Sequence, residues 1–156
     1  MKIRMLLAAA ASLAIAGTAG AQTYALKAPL AAKPAFLTTV GQSADIEMVK
    51  VLLDRGGVPY KADAQAKASD LAASGAKTLV VVLGGSTKGL GAAGISADAE
   101  IDRAKALLAE AKKLGMTVIG VHVGGEARRG RFDGFFRTTR ESATLWYIRF
   151  KTERNS

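Results

Sequence analysis

Two continuous apolar runs, TLVVVL at 78–83 and MTVIGVHV at 116–123, flank one amphipathic helical segment, and that arrangement restricts the fold more than any other feature of the chain. A run without polar alternation suits a strand covered on both faces, the situation of a strand inside a parallel sheet. Parallel neighbours cannot be joined by a tight turn and need a crossover, which is right-handed. The segment between the runs supplies one. Ser96 stands where an N-cap belongs, and Asp98 and Glu100 complement the helix dipole. Ile101, Ala104, Leu107, Leu108, Ala111 and Leu114 then form an apolar stripe that ends before Gly115.

The same alternation recurs upstream. AFLTTV at 35–40 is rich in β-branched and aromatic residues and reads as a strand. After Gly41 and Gln42, Ser43 is the expected N-cap, Asp45 lies in the first turn, and Ile46, Val49, Leu52 and Leu53 recur at helical spacing up to Gly56 and Gly57. A weaker strand at 58–62 and a short helix over 64–73, ending near Gly75, complete the series. The segment GGSTKGLGAAGI at 84–95 holds five glycines and reads as an irregular loop. Strands alternating with single helices predict an α/β fold, a small doubly wound parallel sheet of Rossmann-like architecture with flavodoxin-like strand order, over 35–130.

The flanks differ in character. MKIRMLLAAAASLAIAGTAGA at 1–21 has a basic start, a short apolar run and a small-residue cleavage site, the make-up of a secretory signal peptide. Its apolar run is too short to span a bilayer. The expectation is a periplasmic or secreted protein, cleaved after Ala21, with no membrane anchor afterwards. Residues 22–34 read as a linker, and the absence of cysteine leaves stability to a hydrophobic core. The last 26 residues, 131–156, form a divergent basic tail with six of the nine aromatics. Two readings of it stand: a last helix followed by an edge strand at 144–150, or the product of a shifted reading frame that leaves the C-terminal end incomplete. Loss of Lys2 and Arg4 lowers the formal charge from +9 to +7. The surplus is not gathered on one face between aromatics, so no nucleic-acid partner is expected.

TTVGQS at 38–43, GGSTKGLGAAGI at 84–95 and VIGVHVGGEARRG at 118–130 resemble an uncharacterised family of exported bacterial α/β proteins, a domain of unknown function. The resemblance covers about 34–130. It implies the fold, export, and that these three loops are the family's signature; it implies no activity. After Gly130 the chain departs from the family pattern, which continues with a helix, a buried strand and a C-terminal helix.

Open α/β sheets bind ligands beyond the carboxyl ends of their strands, where strand order reverses, and all three signature loops fall there. The candidate ligand-binding residues are therefore Gln42 and Ser43 in loop one, Gly85, Ser86, Lys88, Gly89 and Gly91 in loop two, and His122, Glu126, Arg128 and Arg129 in loop three. Glycines let a ligand approach backbone N–H groups at a helix start, and Lys88, Arg128 and Arg129 would add positive charge, so a small anionic ligand is the first reading. Against it, the glycines could merely permit an irregular connection, and the arginines could form a solvated turn.

Gly89 to Gly94 matches G-x-G-x-x-G, yet Gly84 to Lys88 intervene between strand and motif and Ser96 caps the helix only after Gly94, so no nicotinamide cofactor is expected. His122 is the lone histidine and there is no cysteine, which excludes a typical zinc site. Within its apolar run His122 reads as a packed, hydrogen-bonded imidazole. The alternative functions are a serine-type or other hydrolase, with Ser43 or Ser86 as nucleophile and His122 as base, and an interaction module that docks a cell-envelope protein through the aromatic tail.

Overall fold

The computed structural model describes residues 29–123, 134, 137–139 and 146–149. The expected signal peptide, most of the expected linker and most of the tail lie outside them. β1 (Ala35–Val40) leads into α1 (Ile46–Arg55), β2 (Tyr60–Ala62), α2 (Ala68–Ser74) and β3 (Thr78–Leu83); α3 (Thr87–Ala93), α4 (Ala97–Lys113), β4 (Thr117–His122) and β5 (Trp146–Arg149) follow. The strands lie in the order β2-β1-β3-β4-β5 and every pair is parallel. This is the flavodoxin-like order expected from the alternation of strands and helices. β1 and β3 match over six residues, from Ala35 against Thr78 to Val40 against Leu83.

Both central strands are buried along their whole length. Their side chains alternate between two cores, as the two-residue repeat of a strand requires. Phe36, Val40, Leu79, Val81 and Leu83 face α2 and α4 and meet Leu71, Ala104, Leu107, Leu108 and Ala111. Leu37, Val80, Val82 and Val121 face the opposite side and meet Ile46 and Val49 of α1. Helices on both faces make the sheet doubly wound, and each fully buried leucine contributes roughly 1.5–3 kcal/mol of burial free energy.

The helix ends follow from local chemistry. Ser96 Oγ accepts the Ala99 N–H at 3.1 Å and starts α4, as its spacing predicts. Gly75 and Gly94 close α2 and α3 in left-handed conformations. Asp70 accepts the Lys67 N–H at 2.7 Å and anchors the start of α2. Ser43, by contrast, does not cap α1; Asp45 holds the cap position. The Ser43 hydroxyl instead accepts the Asp45 N–H at 3.2 Å, closing a turn just ahead of the helix.

The largest departure from the sequence reading is α3. Seven residues of the expected glycine loop, TKGLGAA, are helical. Ser86 caps the helix by accepting the Gly89 N–H at 3.0 Å, and Leu90 buries itself in the core between the strands and α4. A cap and one buried anchor here outweigh the low helix propensity of two glycines. Beyond β4, residues 134 and 137–139 are helical and β5 pairs in parallel with β4, from Ile119 against Trp146 to His122 against Arg149. A helix followed by an edge strand is the first of the two readings of the tail.

Candidate functional site

The strand order reverses between β1 and β3: the chain leaves β1 toward β2 on one side and leaves β3 toward β4 on the other. Loop one, after β1, and loop two, after β3, therefore flank the switch point at which open α/β sheets place ligands. The structure brings Gln42, Ser43, Gly85, Ser86 and Gly89 together there. Lys88 is exposed in the first turn of α3, whose first N–H groups have by helix geometry no intrahelical acceptor. Gly91 lies elsewhere on α3 with open space around it. Glu126, Arg128 and Arg129 lie outside the described residues.

The two loops touch through their main chains. The Ser86 N–H donates to the Gly41 carbonyl at 2.8 Å, and the Gly84 N–H to the Val40 carbonyl at 3.1 Å. A Cβ at Gly41 would stand 2.6 Å from the Gly84 carbonyl oxygen, and a Cβ at Gly89 would collide with the carbonyl of Gln42. These glycines serve close approach of backbone to backbone. That gives a reason for Gly41 and Gly89 that a sequence pattern alone does not reveal, and it leaves Gly85 half-buried in the seam.

Gln42 has φ +53, the left-handed region that a residue with a side chain adopts only when its surroundings hold it there. Its Nε2 donates to the Ala64 carbonyl at 2.9 Å and to Glu100 Oε1 at 3.1 Å. Glu100 is completely buried. Its Oε1 also accepts the Gly41 N–H at 2.8 Å and Arg103 Nη2 at 2.8 Å, while Oε2 accepts Arg103 Nε at 2.8 Å. The fork of Arg103 continues outward: Nη1 donates to the Ala66 carbonyl at 2.8 Å and Nη2 to the Thr39 carbonyl at 2.6 Å. A buried carboxylate is tolerable only when paired and hydrogen-bonded, and this one is both. The pair ties the end of β1, loop one, the β2–α2 connection and the start of α4 into one polar knot.

Sequence reading missed both members of that knot. In the sequence Glu100 reads only as a complement to the helix dipole. The signal that could have found it is its phase: 100, 104, 107, 108 and 111 fall on one helical face, so Glu100 extends the apolar stripe toward the core. A charge in phase with a buried stripe demands a partner, and Arg103 stands one turn on.

His122 ends β4 and is buried, and its Nδ1 lies 2.8 Å from the Leu83 carbonyl. A carbonyl only accepts, so Nδ1 carries the proton. This is the packed, hydrogen-bonded imidazole expected from its apolar run. Among the described residues no three His, Asp or Glu side chains gather as metal ligands. No helix of the described residues is long and apolar enough to cross a membrane. A cleft of about 220 Å³ opens at the opposite, amino edge of the sheet, between Leu71, Gly75, Lys77, Leu114 and Met116. It is formed by the carboxyl ends of α2 and α4, away from the switch point.

Fold and switch point together define a doubly wound, flavodoxin-like α/β domain with a glycine-seamed carboxyl edge. The chain belongs to the family described as Domain of unknown function (DUF6305), whose model matches residues 32–146. The match extends past Gly130 as far as the first residue of β5, further than the resemblance in the three loops reaches. No curated protein and no solved structure matches the chain.

Proposed function

We propose that this is an exported domain, periplasmic or secreted, that binds a small anionic ligand at the carboxyl edge of its sheet. The observation that carries the reading is the position of loops one and two: they flank the reversal between β1 and β3, with Lys88 exposed at the start of α3 beside them. Gln42, Ser43, Gly85, Ser86 and Gly89 build the floor, and Lys88 supplies the charge at its rim. Arg128 and Arg129 of loop three would add charge-assisted hydrogen bonds to a phosphate or carboxylate in this reading, with Glu126 setting orientation. A serine hydrolase is the weaker reading, because the Ser86 hydroxyl already serves as a helix cap.

Thermal unfolding of the purified chain against phosphates, carboxylates and nucleotides tests the proposal. A ligand of the native state raises stability by about 2.7 kcal/mol at a concentration one hundred times its Kd. A selective rise that Lys88→Ala abolishes supports the reading. A transition indifferent to every anion, or a rise that Lys88→Ala leaves intact, overturns it.

A further inference from the structure

Three backbone segments meet at Glu100 and Arg103: loop one through Gly41 and Gln42, the β2–α2 connection through Ala64 and Ala66, and the end of β1 through Thr39. Loop two joins them through the Ser86 bond to Gly41 and the contact of Gly89 with Gln42. Loop one and the β2–α2 connection lie outside helix and strand ladders at these points, whereas Thr39 stands in the β1–β3 ladder opposite Val82 and Gly89 lies in α3. Loss of the two amide bonds would remove what offsets the cost of a left-handed backbone in a residue with a side chain and free Gln42 to leave it. Its departure would remove the surface against which Gly89 packs.

We infer that loop one, the β2–α2 connection and loop two open and close as one local cooperative unit, and that buried Glu100 is the group that holds it shut. Glu100 acts through loop one and is a positioning residue. The inference deepens the ligand reading by naming what keeps that edge in register, but its test needs no ligand. Local units of this kind open at lower free energy than the whole domain and are visible as faster amide exchange.

Glu100→Gln is the direct probe. It removes the charge that pairs with Arg103 and presents an amide N–H to the guanidinium in place of one carboxylate oxygen. Hydrogen–deuterium exchange of the full chain, resolved by residue, is the readout. The N–H groups of Gly41, Ser86 and Gly89 should exchange faster together, by roughly tenfold or more, the size expected when a local opening becomes easier by about 1.4 kcal/mol. Val81 in β3 and Leu108 in α4 should change far less. Acceleration at Gly41 alone, whose N–H bonds the substituted side chain directly, overturns the cooperative unit, and so does acceleration spread evenly over Val81 and Leu108. Should Glu100→Gln fail to fold, Gln42→Ala decides the matter: it keeps the Glu100–Arg103 pair and the left-handed cost of a residue with a side chain and removes only the amide bonds. The same three N–H groups should then accelerate together, and no change at Ser86 and Gly89 refutes the inference. Inorganic phosphate separates this result from the ligand reading: concerted exchange with no phosphate-induced slowing at Lys88 leaves the unit standing and counts against the anion site.

Discussion

Gly89 and Gly91 sit two residues apart on the same helix, and replacing each with alanine should move stability in opposite directions. Alanine is preferred to glycine inside a helix by about 0.8–1.0 kcal/mol, and both positions have negative φ, so the propensity gain is common to both. At Gly91 a new Cβ meets nothing within 4 Å. Gly91→Ala should therefore stabilise the domain by about 0.4–1 kcal/mol. At Gly89 the new Cβ collides with the Gln42 carbonyl, and Gln42 cannot retreat without giving up its bonds to Ala64 and Glu100. Overpacking costs typically about 1–3 kcal/mol and each lost hydrogen bond about 1 kcal/mol, so the propensity gain is outweighed. Gly89→Ala should be less stable than the parent by about 1–3 kcal/mol, and the two variants should differ by about 2–4 kcal/mol. At roughly 3–6 °C per kcal/mol for a domain of this size, their midpoints in a thermal melt should lie about 10 °C apart. A Gly89→Ala midpoint equal to or above the parent's would refute the close approach of loop one and α3.

Other expectations follow from the same geometry. Removing one member of the buried Glu100–Arg103 pair, as in Arg103→Met, should cost about 3–5 kcal/mol in urea unfolding, and the double variant with Glu100→Gln should cost less than the two singles added; strict additivity would contradict the pairing. Ser96→Ala should lose about 1 kcal/mol through its cap on α4, and chemical denaturation that leaves Ser96→Ala unchanged would deny the cap. Partial burial, followed by a hydrogen bond to Asp54, pushes the Tyr60 phenol above its usual value. A group whose folded-state pKa is raised contributes stability that is present below about pH 10 and is lost as pH rises through the folded value. Tyr60→Phe should flatten that alkaline decline in melts recorded from about pH 9 upward, and an unchanged profile would place the decline on other groups.

Much of the architecture was legible because it rests on repeat length. β1, β3 and α4 are each written as an unbroken apolar run or a helical stripe, and the right-handed crossover rule turns their succession into a strand order. α3 was not legible, because Gly89 and Gly91 read as loop residues until the packing of Leu90 and the seam with loop one are seen. Gln42, Ser43, Ser86 and His122 read as ligand contacts from their place at the carboxyl edge. The place holds, but their hydrogen bonds run inward, to Ala64, to Asp45, to Gly89 and to Leu83. Polar residues at a strand end carry the same sequence signature whether they face a ligand or another loop. Glu100 escaped for the converse reason: a helix-start acid satisfies a local rule, and only tertiary contacts reveal that it answers a distant backbone.

The seam of Gly41, Gly84 and Gly89 also constrains how such a domain can diversify. Where peptide groups rest directly on peptide groups, there is no side chain to exchange, and a mutation can only wedge the surfaces apart. Change is then easier at the margin, at exposed positions such as Lys88. A seam of main chain against main chain is thus a fixed stage: substitutions at its margin leave it in place, while any side chain added within it must push the two loops apart.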